Sequence, residues 1–233
     1  MKLKKWEQLP ERMKNEKVKP YYDMLKRRKG DLLLKRLMDL VMAVILTVIL
    51  SPVMLILAIG IRIDSRGPVF FRQKRVTQYG KVYRIFKFRT MVADADKKGP
   101  AVTAAGDSRI TRMGNLLRKC RLDELPQLFN VISGDMSFVG TRPEVEKYVD
   151  AYTEEMWATL LLPAGITSRT SIAYKDEDEV MEKYLKETDG TVDDVYIRYV
   201  LPEKMKYNLG YLKKFSVLGD IKVMVDTVFA VIR

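Results

Sequence analysis

The 233-residue sequence predicts a helix-rich α+β fold that carries a membrane-inserted helix–break–helix, and three observations predict it. One uncharged run is long enough to enter a bilayer. Two short runs carry strand-forming residues, and apolar residues elsewhere recur at helical spacing. The chain divides into a basic N-terminal arm over 1–30, a re-entrant membrane hairpin over 31–64, and one domain over 65–233 with a small β-hairpin and interfacial amphipathic helices.

The first residues, MKLKKWEQLPERMKNEKVKP and then LKRRKG, are basic and poor in apolar runs, and read as an arm or surface helix ending at Gly30. No apolar run with a small-residue cleavage site stands near the start, so a signal peptide is not expected. Each Lys or Arg near an anionic leaflet contributes about 1 kcal/mol, so the arm suits an anionic lipid membrane. Plain solubility explains it equally well.

LVMAVILTVILSPVMLILAIGI, over 40–61, is 22 residues without a charge. At about 1.5 Å per residue it reaches roughly 33 Å, against a hydrocarbon core of about 30 Å. Pro52 cannot donate to the carbonyl of Val48 and should kink a helix there, while the Ser51 hydroxyl can bond a carbonyl of the preceding turn. Lys26, Arg27, Arg28, Lys29, Lys35 and Arg36 precede the run; Arg62, Arg66, Arg72, Lys74 and Arg75 follow it. Positive charge pulls both ends toward the cytoplasm. A hairpin that dips in and returns satisfies both flanks, whereas a straight span satisfies one.

PVFFRQKRV and KVYRIFKF, separated by a turn at Gly80, form the hairpin candidate. As a strand, the second run places Val82, Arg84, Phe86 and Phe88 on one face and Tyr83, Ile85 and Lys87 on the other. ADADKKGPAVTAAGDS reads as a loop. Ile110, Met113, Leu116 and Leu117 then share a helix face, as do Leu125, Leu128, Phe129 and Ile132, with Gly134 as C-cap. FVGTRPEVEKY reads as a loop into a helix starting near Pro143. Residues 150–233 are mostly helical in pattern, with a loop at LPAGITSRTS and an acidic run, KDEDEVMEK, that reads as a solvated helix start. The final SVLGDIKVMVDTVFAVIR is apolar but too short to span, so it packs as core or lies in the interface.

The formal charge of +12, from 42 Lys and Arg against 30 Asp and Glu, suits anionic partners: nucleic acid, phosphorylated small molecules or an acidic membrane. Zero histidines exclude histidine-dependent triads and histidine-ligated zinc. Acid, base and nucleophile must come from carboxylates, Lys, Tyr, Ser or Cys120, and a metal site would be carboxylate-built, which favours Mg²⁺ or Mn²⁺. A single cysteine allows no intramolecular disulfide.

Within that basic chain stands RLDELPQLFN. Structurally, Asp123 is an N-cap, Glu124 favours the positive helix start, and Pro126 fits the first turn. Capping does not explain Arg109, Arg112, Arg118, Arg121 and Arg142 around the pair. Neighbours on a helix point about 100° apart, so the two acids could divide two tasks. One could attack phosphorus while the other holds a cation, with arginines binding phosphate and keeping the nucleophile ionised.

KRLMDLV, the Ser-Pro-broken apolar run, FKFRTM, RLDELPQLFNVISGDMSFVGTRPE and the later Gly165-Ile166-Thr167 together resemble the bacterial sugar transferase family, in its minimal monotopic polyprenyl-phosphate phosphoglycosyl transferase form. The resemblance is close over 31–175 and looser beyond. It implies a re-entrant helix broken at Ser51-Pro52 and a catalytic domain on the cytoplasmic face of the bacterial inner membrane. It also implies Mg²⁺ dependence and transfer of sugar-1-phosphate from a UDP-sugar to polyprenyl (undecaprenyl) phosphate with release of UMP, as the first membrane step of glycan assembly. On this likeness Asp123 would be the nucleophile, Glu124 the Mg²⁺ ligand, and Lys87, Arg118 and Arg142 the phosphate-facing cations. The pattern departs at Thr141, where members often have Pro, and at LPAGITSRTSIAYKDE, where Lys175 falls on a position often held by arginine. Lysine keeps the charge there but loses the fork.

Competing readings are a membrane-anchored nucleic-acid-binding protein and a scaffold that kept the fold without activity. No nucleic-acid motif is present and the acid pair is intact, so no nucleic-acid partner is expected. A homodimer is neither required nor excluded by the sequence.

Overall fold

The computed structural model describes residues 1–95, 107–174 and 177–232. Most of the loop read at 93–108 and Lys175 lie outside the described residues.

The N-terminal residues pack against the domain. Two 3-10 turns, Trp6–Gln8 and Glu11–Met13, lead into helix α1 (Lys19–Arg27). Leu9, Met13, Val18, Tyr21, Tyr22 and Leu25 are buried in the main core. Their side chains stand singly or in pairs among charged residues, which is why no run announced them.

Helix α2 (Lys29–Asp64) is 36 residues long and holds Pro52 in its interior. It is long and apolar enough to cross a membrane, and only 17% of its most apolar window is buried. The Ser51 hydroxyl donates to Val48 O at 2.8 Å, so the acceptor that Pro52 cannot serve is satisfied locally. Both halves of α2 touch the rest of the protein. Leu32 and Ala43 join the main core, whereas Met54, Leu57 and Ile61 form a second cluster with Phe88 and Leu117.

Strands β1 (Phe70–Val76) and β2 (Val82–Phe88) form the expected antiparallel hairpin, with Phe70 opposite Phe88 and Val76 opposite Val82. Period-two alternation splits β2 between the clusters: Tyr83 and Ile85 face the main core, and Phe88 the second. Helix α3 (Arg112–Lys119) starts at Thr111, whose hydroxyl accepts from Gly114 N. Leu117 is fully buried, but Leu116, expected on the same face, is 52% exposed. A Cβ on Gly114 would stand 1.9 Å from Thr90 O, so glycine alone lets α3 close on the end of the hairpin.

Helix α4 (Gln127–Ser133) ends at Gly134 in the left-handed region, as expected of a C-cap. Strands β3 (Met136–Val139) and β4 (Ala164–Thr167) pair in parallel in regions read as a helix end and loops. Helices α5 (Glu146–Asp150), α6 (Arg169–Ala173), α7 (Glu177–Glu187), α8 (Val192–Val195), α9 (Leu201–Lys213) and α10 (Val217–Ile232) complete the chain. The start near Pro143 thus falls at Glu146, and the acidic run from Glu177 onward lies in α7. On α10, Val223 is buried while Leu218, Ile221, Val225, Val228 and Phe229 are exposed.

A polar network fastens α2 and α10 to β3. Lys35 Nζ lies 2.5 Å from Asp220 Oδ2, and both side chains are fully buried. Asp39 accepts from Ser137 Oγ at 2.7 Å and Phe138 N at 3.2 Å. Tyr211 of α9 donates to Asp220 at 2.9 Å.

Candidate active site

The acid pair lies in a 3-10 turn, Leu122–Glu124, between the two apolar clusters. Arg121 opens that turn in the left-handed region at φ 55°, unusual for a residue with a Cβ. The N-cap reading of Asp123 is corrected here: α4 begins after Pro126 and has no side-chain cap bond. Pro126 occupies the cap position itself, so the proline that favours the helix start displaces the acid from it.

Asn130 of α4 places the hairpin over this turn. Its amide oxygen accepts from Phe86 N at 2.8 Å and its amide nitrogen donates to Arg84 O at 3.0 Å. The next inward-facing residue of β2, Lys87, then sits 2.7 Å from Glu124 Oε1 and 4.0 Å from Asp123 Oδ2. Arg142, in the connection from β3 to α5, donates to the same Glu124 oxygen at 3.2 Å. Arg118 donates to Thr90 Oγ1 at 3.1 Å, and its charge acts on Asp123. Asp123, Glu124, Lys87 and Arg142 are thus brought together, with Arg118 beside them.

The two carboxyls respond in opposite directions. Burial pushes Asp123 above its ordinary value, with Lys87 pulling against it and Glu124 adding to it. Burial acts the same way on Glu124, but Lys87 and Arg142 overcome it and hold that group well below the usual carboxylate range. Cations dominate at Glu124; burial dominates at Asp123, with Lys87 and Arg118 pulling against it.

Glu124 and Arg142 line a cavity of about 570 Å³. Lys119 and Arg121 add charge to its polar end, while Leu46 and Leu50 of α2 and Ala230 of α10 form an apolar side. A phosphorylated molecule with an apolar tail would find both chemistries within one space. Sequence reasoning missed Asn130 and Lys119 as contributors, and had Arg121 only among the arginines around the pair. Asn130 lies on the α4 sequence near the acids, but its partners on β2 are more than forty residues away.

Among the described residues no three acidic or cysteine side chains form a metal cage. Mg²⁺ is commonly held by one or two carboxylates together with substrate phosphates. Glu124 on the cavity wall, with Asp123 next to it, fits a cation of that kind, one that completes its shell from a phosphorylated ligand.

A membrane-length apolar helix packed on an α+β domain, with a cation-bridged acid pair where they meet, defines a protein built for membrane association with a phosphate-compatible site. The chain belongs to the bacterial sugar transferase family, whose model matches residues 30–233. It is 35% identical over 199 residues to the UDP-N-acetylgalactosamine-undecaprenyl-phosphate N-acetylgalactosaminephosphotransferase of Aeromonas hydrophila, covering 84% of this chain and 43% of that one. It is 33% identical over 201 residues to the UDP-glucose:undecaprenyl-phosphate glucose-1-phosphate transferase of Escherichia coli K12, covering 84% and 40%. A Caulobacter vibrioides UDP-glucose:undecaprenyl-phosphate glucose-1-phosphate transferase is 33% identical over 197 residues, covering 83% of this chain and 68% of its own. The chain therefore spans about two fifths of the length of the first two relatives.

Proposed function

We propose that this chain transfers sugar-1-phosphate from a UDP-sugar to polyprenyl (undecaprenyl) phosphate and releases UMP. The single observation that carries the reading is Glu124, tied through Lys87 to the neighbouring Asp123, on the wall of a cavity with both cationic and apolar sides. The family membership and the activities of the relatives support it.

In the first step an Asp123 carboxylate oxygen attacks the sugar-bearing phosphorus. The bond from that phosphorus to the bridging oxygen breaks, and UMP leaves with its electron pair. In the second step a polyprenyl phosphate oxygen attacks the same phosphorus and the acyl-phosphate bond breaks, which restores the carboxylate. No net proton transfer is required, which suits a chain without histidine. Lys87 and Arg142 are placed to take phosphate oxygens, releasing Glu124 to ligate Mg²⁺. Bound Mg²⁺ would neutralise the diphosphate and the departing UMP. Arg118, whose charge already acts on Asp123, is assigned a supporting phosphate contact.

The same reading places α2 in the cytoplasmic leaflet of a bacterial inner membrane as a re-entrant hairpin. Both ends of its apolar run are fastened to one domain. Arg36 donates to Val131 O at 2.6 Å near one end, and Arg89 to Ser65 O at 2.7 Å just past the other. A span would carry those ends to opposite faces.

The test is intact-mass analysis of the protein mixed with a UDP-sugar panel and no acceptor. A sugar-phosphate adduct on Asp123, discharged by undecaprenyl phosphate, is expected, and Asp123→Asn should form none. An adduct on another side chain, or full turnover by Asp123→Asn, would falsify the mechanism.

A further inference from the structure

We infer that Glu144, gripped by Lys204 and Tyr196, is a positioning residue that sets the place of Arg142 at the phosphate end of the site; this deepens the transfer reaction proposed above and rests on it.

Arg142 sits in a short connection whose main chain is held on one side by neighbouring backbone and by Arg75. Thr141 O accepts from Gly165 N at 2.9 Å, Glu144 O from Val76 N at 2.9 Å, and Pro143 O from Arg75 Nη1 at 3.3 Å. The Glu144 side chain, 6% exposed, meets the opposite side. It accepts from Tyr196 OH at 2.7 Å and pairs with Lys204 Nζ at 3.1 Å. Lys204, 3% exposed, also donates to Tyr196 OH at 2.6 Å, which closes a triangle. Tyr148 stacks on Tyr196 with ring centroids 4.3 Å apart. Tyr196 opens a π-helical segment, Tyr196–Val200, a geometry that recurs at functional sites.

Stability alone is a poor reason for this arrangement. Desolvating two charges offsets most of their attraction, and an apolar pair of similar volume is often as stable or more so. What the triangle supplies is a unique position. The Glu144 carboxylate finds its donors in one place, and its Cα is two residues from Arg142, which itself reaches Glu124 at 3.2 Å. A displacement of about 1 Å in a group that must meet a transition state can cost roughly a hundredfold in rate.

The experiment compares UMP release and thermal unfolding of the full chain in lipid nanodiscs. The variants are Glu144→Gln, the apolar pair Glu144→Leu with Lys204→Met, Arg142→Ala, and their combinations. The apolar pair should unfold at or above the wild-type temperature yet lose about ten- to a hundredfold in kcat, with little change in KM. Added to Arg142→Ala, it should cost little more, because the residue it positions is already gone. Should the apolar pair not fold, Glu144→Gln, which keeps the shape, carries the same expectation for kcat and KM, though with some loss of stability because Lys204 keeps its charge. Lys147→Ala, which removes an ion pair to Asp193 on the nearby surface, should keep wild-type kcat. Wild-type kcat in the apolar pair, a loss that multiplies with Arg142→Ala, or an equal loss in Lys147→Ala overturns the positioning role and leaves the transfer reading standing. A wild-type protein that releases no UMP from any UDP-sugar defeats the transfer reading, and this one with it.

Discussion

Lys87 Nζ touches both acids of the site, standing 2.7 Å from Glu124 and 4.0 Å from Asp123. It lowers both carboxyls against the burial that raises them. Removing it in Lys87→Met leaves two adjacent buried carboxyls with one compensating charge fewer. Asp123, already raised, should rise further, so the acid limb of the pH–activity profile should move to higher pH. The rate at neutral pH should fall about a hundredfold, the scale for losing one electrostatic contact in a transition state. Lys87→Arg should recover part of the rate. An unmoved acid limb would separate Lys87 from Asp123.

Metal dependence bears on Glu124. EDTA should stop UMP release and added Mg²⁺ should restore it, since the described residues offer no protein-only cage that would retain the ion against chelation. Glu124→Gln should need much more Mg²⁺ for the same rate. Equal Mg²⁺ titration curves for both proteins would remove Glu124 from the metal.

What the sequence disclosed followed the length and regularity of each signal. The hairpin was legible because β1 and β2 alternate over seven residues each, and the apolar run because nothing soluble needs so long a stretch. Strands β3 and β4 were not, being four residues long, almost wholly buried, and glycine-bearing in β4, so neither alternation nor β-propensity marks them. The acid pair stood out as carboxylates among arginines, and Arg142 and Lys87 through the family resemblance; the strand pattern alone did not say which face of β2 turns inward. The Lys35–Asp220 pair left no trace, because its partners are 185 residues apart and each alone looks like a solvated charge. Asp123 as a cap failed because Pro126 competes for the same helix start.

That buried pair predicts a large stability effect. Asp220→Asn leaves the Lys35 charge in the interior without its closest counterion, at 0% exposure. A loss of about 3–5 kcal/mol is expected, the usual cost of breaking a buried pair from one side. Replacing both, Lys35→Met with Asp220→Leu, should recover only part of it, because buried Asp39, 3.9 Å from Lys35, loses its cation and the Tyr211 hydroxyl loses its Asp220 acceptor. Thermal unfolding in nanodiscs decides; equal melting of Asp220→Asn and wild type would show that the pair holds nothing.

The hairpin proposed for α2 is open to labelling. In a Cys120→Ser background, single cysteines at Lys26 and Arg66 should both react with an impermeant thiol reagent added from the cytoplasmic side of inverted vesicles. Neither should react from the other face. Labelling from opposite faces would make α2 a span and would break the ties that Arg36 and Arg89 make near its ends.

Glu144 makes acid stability a reporter of the folded loop. Burial would raise its carboxyl, but Lys204, with the Tyr196 bond and Arg75, holds it below its ordinary value. A group whose folded value is depressed contributes stability above its unfolded value, about 4.3 for glutamate, and loses it as pH falls through the folded value. Wild-type stability should therefore decline below about pH 4.3 partly through this group. Glu144→Gln, unable to titrate, should be less stable at neutral pH and show a flatter acid side. Denaturant unfolding at a series of pH values measures both slopes. Parallel curves would mean that Glu144 takes up its proton equally in the folded and unfolded chain, and that Lys204 does not hold its charge in the interior.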